Sequence, residues 1–142
     1  LECLGGNGYV EESIMPRLFR ESPLNGIWEG SGNVICLDVL RAMAREPQAL
    51  EAFIGELDSV AGADERLDAA VARVRSELGD VVGIEARARR VVEAMALAFQ
   101  GSLLVRYGHP AVAEAFLSSR LQGDEGLALG TLPPGIDVGT IL

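Results

Sequence analysis

Lysine is absent: all 12 basic residues of the 142-residue chain are Arg. The first reading of that bias is genomic composition, the second selection for bidentate anion contacts. Aromatic residues are scarce at 5%, so a core must be assembled from Ala, Val and Leu. Only two cysteines occur, Cys3 and Cys36, which excludes a disulfide framework and a zinc site. Both read as small buried hydrophobes. The one histidine, His109, stands just before Pro110 and is expected to cap or turn a helix junction, with a catalytic role as the other option.

Long apolar runs are missing too. The longest candidate, Val91 to Val105, is interrupted by Glu93 and Gln100. No membrane span is therefore expected, and with no signal peptide in view a cytoplasmic location is expected. Positive charge is in deficit, with a net charge of −9. The first 45 residues hold four Arg against six acids and the remainder eight Arg against 15, so neither part is a nucleic-acid binder by bulk charge.

Apolar residues make up 49% and mean hydropathy is +0.23, which places the chain among globular domains large enough to bury a core. The opening Leu1-Glu2-Cys3-Leu4-Gly5-Gly6 reads as the last turn of a helix with a glycine cap. A piece of a longer polypeptide is the expectation. Beyond it, helical spacing and breaks divide the chain. Tyr9 to Arg20 should hold a helix begun near Pro16, with Met15, Leu18 and Phe19 inward. Val34, Leu37, Leu40 and Ala44 mark a helix to about Arg45. Pro47 opens another with Leu50, Phe53, Ile54, Leu57 and Val60 on one face, and Asp64 caps a third with Leu67, Val71, Val74 and Leu78 inward. One long helix is expected from about Gly83 to Tyr107, another from Pro110 to about Gln122, then an extended tail from Leu127 to Leu142. The fold class is all-α, an antiparallel helical bundle.

The chemistry concentrates in Asn25-Gly26-Ile27-Trp28-Glu29-Gly30-Ser31-Gly32-Asn33. A glycine-rich loop feeding a helix start offers unpaired amides and the positive end of the helix dipole to an anion or to a cofactor's polar edge. A carboxylate beside the only Trp is a candidate general base, since desolvation favours its protonated form. The plainer alternative is a helix entry with Ser31 as N-cap and Glu29 solvated.

Three motifs in order carry a family resemblance: Leu4-Gly5-Gly6-Asn7-Gly8-Tyr9, then Pro16-Arg17-Leu18-Phe19-Arg20, then Trp28-Glu29-Gly30-Ser31. They resemble the C-terminal catalytic segment of the flavin-dependent acyl-CoA dehydrogenases. The spelling Trp-Glu-Gly-Ser-Gly-Asn with Cys36 to Arg41, and the tail motifs Phe116 to Leu121 and Gly130 to Gly135, are similar to the AidB-like alkylation-response branch. The resemblance implies a segment 1–45 from the dehydrogenase bundle and a helical extension 46–142. It implies FAD as cofactor, an acyl-CoA thioester as substrate and a homotetrameric parent protein. Glu29 would remove the α-proton, and Gly5, Gly6, Trp28, Gly30, Ser31 and Asn33 would line the flavin. The Gly5–Gly8 turn would lie against the flavin of a neighbouring subunit. In that branch the extension is regarded as a region that binds double-stranded DNA, making Arg87, Arg89, Arg90 and Arg120 candidate phosphate contacts. By residue pattern alone, Arg87 to Arg90 alternate with Glu85 and Glu93 as a salt-bridged, solvated face. No turnover is expected from these 142 residues alone.

Overall fold

The computed structural model describes residues 1–122 and 132–142. Among these residues every regular element is helical, so the fold is all-α. Two short helices come first, α1 (Gly6–Tyr9) and α2 (Met15–Glu21). The bundle proper is α3 (Gly32–Arg45), α4 (Pro47–Asp58), α5 (Glu65–Gly79), α6 (Ala88–Tyr107) and α7 (Pro110–Arg120). The break between α3 and α4 falls at Glu46, where Pro47 supplies a preset first-turn φ and gives up an amide that had no helix partner.

Helix α6 is the axis. It packs against α3, α4, α5 and α7. Its Val91, Met95 and Ala98 join Leu57 of α4 with Ala70 and Val74 of α5 in one buried cluster. The rings of Phe53 and Phe99 meet at its edge with centroids 5.8 Å apart. A second cluster of Val60, Leu67 and Leu117 ties α5 to α7. Gly101 lets these helices close: a Cβ there would stand 3.1 Å from Leu67 and 3.3 Å from Leu121. Small residues on α6 therefore do for this aromatic-poor core what large ones do elsewhere, by bringing backbones together.

Polar ends are matched as the residue types demand. Asp64 accepts from the Arg66 and Leu67 amides at the start of α5. His109 Nδ1 accepts from Ala111 N–H at 3.2 Å, the cap expected at that junction. Arg66 then bridges α5 to α7, donating to Asp64 at 2.7 Å, to Glu114 at 2.6 Å and to Ser118 at 3.1 Å. Hydrogen bonds from Arg66 and then Ser118 hold the Glu114 carboxyl down at about 2. Arg106 pairs with Glu56, and Arg75 with Asp58.

Several sequence expectations are corrected here. Leu18 and Phe19 are exposed (48% and 58%), because no bundle helix lies over that side of α2. Cys3 is exposed; only Cys36 is buried. The inner face of α3 runs through Cys36, Val39 and Met43, while Val34 and Ala44 are exposed. That helix is apolar on more than one side, so spacing alone did not say which side meets α6. The long helix begins at Ala88, preceded by a 3-10 turn, Ile84–Arg87, entered through Gly83 at φ 66°. The tail is not wholly extended: α8 (Val138–Ile141) is a helical turn capped by Asp137, lying against α7. The Gly130-Thr131 part of the tail motif lies outside the described residues.

Two predictions follow from this packing. Leu67→Ala in the intact protein should destabilise it by about 2–5 kcal/mol in denaturant unfolding, since the side chain is fully buried. The Glu114 carboxyl titrates lower folded than unfolded, so its contribution is present above its ordinary 4.5 and is lost as pH falls towards about 2. Stability profiles across that window should therefore be flatter for Glu114→Gln than for wild type, by a small amount because solvent screens the pair.

Candidate functional site

The glycine-rich loop is shaped from both ends. A 3-10 turn, Ser22–Gly26, closes with Ile27 and Trp28 amides both donating to the Leu24 carbonyl at 3.0 Å. Helix α3 opens on the far side, its first bond running from Ile35 N–H to the Ser31 carbonyl at 3.0 Å. Glu29 sits between them with φ +60°, the one non-glycine residue at positive φ among the described residues. Gly30 follows at φ +130°. A left-handed conformation in a side-chain-bearing residue costs on the order of 1–3 kcal/mol and persists where its surroundings impose it. Glycine would adopt it freely; a carboxylate stands there instead.

Ser31 occupies the N-cap position with extended backbone, but its hydroxyl does not bond the α3 amides. The plainer expectation, a helix entry with Ser31 at the N-cap and Glu29 solvated, agrees with this position and with the exposure of Glu29, though the cap is made without a side-chain bond. The Ser31 hydroxyl and the first-turn amides of α3 are available as donors towards an outside acceptor. Trp28 is 57% exposed and Glu29 is exposed. Ile27, Val34 and Ile35 are exposed beside them. The loop is therefore an apolar, donor-bearing surface rather than an enclosed pocket, and water exclusion around Glu29 requires a covering surface. Gly5, just before α1, and Gly6, its first residue, have open space where a Cβ would be, and Gly5 has φ +56°.

The four candidate phosphate contacts separate into two groups. Arg87 is engaged within the chain, pairing with Glu77 and reaching the Asp80 carboxylate at 3.1 Å. Arg89 points back to the loop and donates to Asn33 Oδ1 at 3.1 Å. Arg90 and Arg120 converge on one cleft of about 180 Å³ that also holds Arg73, Glu77 and Glu93. Arg73 was not singled out from sequence; its place opposite Arg90 depends on how α5 and α6 cross, which no local pattern records. The same is true of Arg89 and Asn33, 56 residues apart. Among the described residues no group of His, Cys, Asp and Glu could hold a metal ion, and no helix is long and apolar enough to cross a membrane.

Residues 1–44 match the family described as acyl-CoA dehydrogenase, C-terminal domain. The chain belongs to the acyl-CoA dehydrogenase family. Within it the chain is AidB-like: it is 37% identical to AidB of Escherichia coli K12 over 129 residues, 91% of this chain and 24% of that protein. It is also 31% identical over 124 residues to acyl-CoA dehydrogenase family member 11 of Caenorhabditis elegans, 74% of this chain and 20% of that protein. The chain thus spans about a quarter or less of the length of these relatives.

The strained residue gives a prediction. Glu29→Gly should raise unfolding stability by about 1 kcal/mol, while Glu29→Gln leaves it within about 0.5 kcal/mol. Chemical denaturation of the two variants checks this; a fall in stability for Glu29→Gly would mean the carboxylate is held for the fold.

Proposed function

We propose that this chain supplies the general base and one edge of the FAD site of an acyl-CoA dehydrogenase-type flavoprotein. The observation that carries the proposal is Glu29 at φ +60° on a donor-bearing loop at the start of α3, inside the segment that matches the family. A bound flavin supplies the acceptor for the β-hydride of the acyl thioester. Glu29 removes the α-proton, the trans-enoyl thioester forms, and the carboxyl carries the proton until product leaves. Trp28 excludes water on one side of Glu29. The Ser31 hydroxyl and the amides that follow it donate to acceptors on the cofactor's polar edge, which fits a group rich in carbonyl and ring-nitrogen acceptors. Asn33 has its Oδ1 bonded to Arg89, which leaves its NH₂ as a further donor. Gly30, at φ +130° with Ile35 3.3 Å from where a Cβ would stand, lets the loop turn tightly onto α3, and Gly5 and Gly6 offer bare backbone to a neighbouring subunit's cofactor.

Residues 1–35 expose Leu4, Tyr9, Ile14, Phe19, Leu24, Ile27 and Trp28. In this reading the remainder of the parent bundle and adjoining subunits of a homo-oligomer cover that surface and desolvate Glu29. In this reading the parent is cytoplasmic, and turnover is expected of the intact protein and not of these 142 residues alone.

The test is anaerobic mixing of the intact protein with short, branched and long acyl-CoAs while the visible flavin band is followed. Wild type should bleach with at least one thioester, and Glu29→Gln should slow bleaching by about a hundredfold or more. Equal bleaching of the two would remove Glu29 from the chemistry. A second reading, duplex DNA held by the extension, is favoured by the convergence of Arg73, Arg90 and Arg120. It requires a salt-dependent affinity whose slope falls in an Arg90→Ala, Arg120→Ala double variant; an unchanged slope would set it aside.

A further inference from the structure

Arg89 leaves the face of α6 that the flanking residues bury and reaches the catalytic loop. Ala88 and Val91 on either side of it are 4% and 0% exposed, so the backbone that carries it is held by the core. Its guanidinium lies against Gly32, the first residue of α3. A Cβ built on Gly32 would stand 2.7 Å from Arg89 Nη1 and 3.1 Å from both Cζ and Nη2. The same Nη1 donates to Asn33 Oδ1 at 3.1 Å. The planar group therefore covers one residue and bonds the next, three and four positions after Glu29. Arg87 is engaged elsewhere, with Glu77 and Asp80, and does not compete for this place.

We propose that Arg89 is a positioning residue for Glu29: by clasping Gly32 and Asn33 from the rigid axis helix, it fixes the first turn of α3 and with it the strained loop that aims the carboxylate. This rests on the reading of Glu29 as the base. The physical argument is one of unequal stiffness. Glu29 at φ +60° and Gly30 at φ +130° form a loop whose relaxed conformations lie elsewhere, and the 3-10 turn before it is exposed throughout. A planar, always-charged group with several donors is suited to hold two consecutive residues at once, where a Lys would supply a single point contact. Gly32 follows as a requirement of the clasp, since any side chain there takes the space of the guanidinium. Arg89 is thereby assigned to the dehydrogenase half of the protein, and not to a phosphate outside it.

Gly32→Ala and Arg89→Ala should be equivalent. The first displaces the guanidinium and keeps its charge; the second removes both. In the intact flavoprotein, each should speed amide exchange at Ile35, whose N–H closes the first turn of α3, by about tenfold. Each should lower the limiting rate of flavin bleaching on the order of ten- to a hundredfold, with the half-saturating acyl-CoA concentration unchanged. The double variant should be no worse than either single one, and the thermal midpoint should move by no more than about 2 °C because Arg89 is exposed. Additive effects, or exchange at Ile35 unchanged in either variant, would overturn the assignment. If wild-type flavin is bleached by no thioester, the reading of Glu29 fails. The exchange arm then still decides the clasp, with equal and non-additive acceleration upholding it and any other pattern overturning it.

Discussion

The burial of α6 is the constraint on which the other elements depend. Val91 and Ala98 are fully buried on it, and α3, α4, α5 and α7 each touch it. With only 5% aromatic residues, the chain cannot fill space with large rings, and it closes its helices over Ala, Val and Gly instead. Close backbones make the axis stiff. A stiff axis is what allows Arg89, on its outer side, to act at a distance of 56 residues in sequence upon the loop before α3. The helical extension is thus a support for the glycine-rich loop as well as a neighbour of it.

The loop itself departs from local preference in a way that a scaffold must sustain. Glu29 takes a conformation that glycine would adopt without strain, with glycines available on both sides in Gly26 and Gly30. The carboxylate is kept there at a cost in stability, and the Ser31 hydroxyl is left without a helix partner. The strained Glu29 lies inside the 1–44 segment that matches the acyl-CoA dehydrogenase C-terminal domain. Side chains cap α5, α7 and α8, whereas α3 shares its lack of a side-chain cap with α1, α2, α4 and α6, so it is the strain at Glu29 that sets this loop apart.

Much of the bundle was legible because its faces are simple. The Leu67, Val71, Val74, Leu78 stripe packs inward, Asp64 and His109 cap where their neighbours suggested, and Pro47 and Pro110 start their helices. Reading failed where a helix is apolar on several sides or where the covering surface lies elsewhere. In α3 the face through Cys36, Val39 and Met43 won over one through Val34 and Ala44 because α6 approaches from that side. In α2, Leu18 and Phe19 are apolar by type yet exposed. The candidate site was legible as a motif, from Trp28 to Asn33. Its strain at Glu29 and its contact with Arg89 were not, since positive φ on a carboxylate and a pairing across 56 residues leave no local signature.

The central claim is that Glu29 removes a proton from the α-carbon of an acyl thioester. Hydrogen–deuterium exchange at that carbon reports the step apart from any hydride transfer. The intact protein is incubated with an acyl-CoA in deuterium oxide, and the recovered thioester is weighed by mass spectrometry. The account predicts deuterium at the α-carbon with wild type and none above background with Glu29→Gln. Incorporation that is the same for both proteins would contradict it.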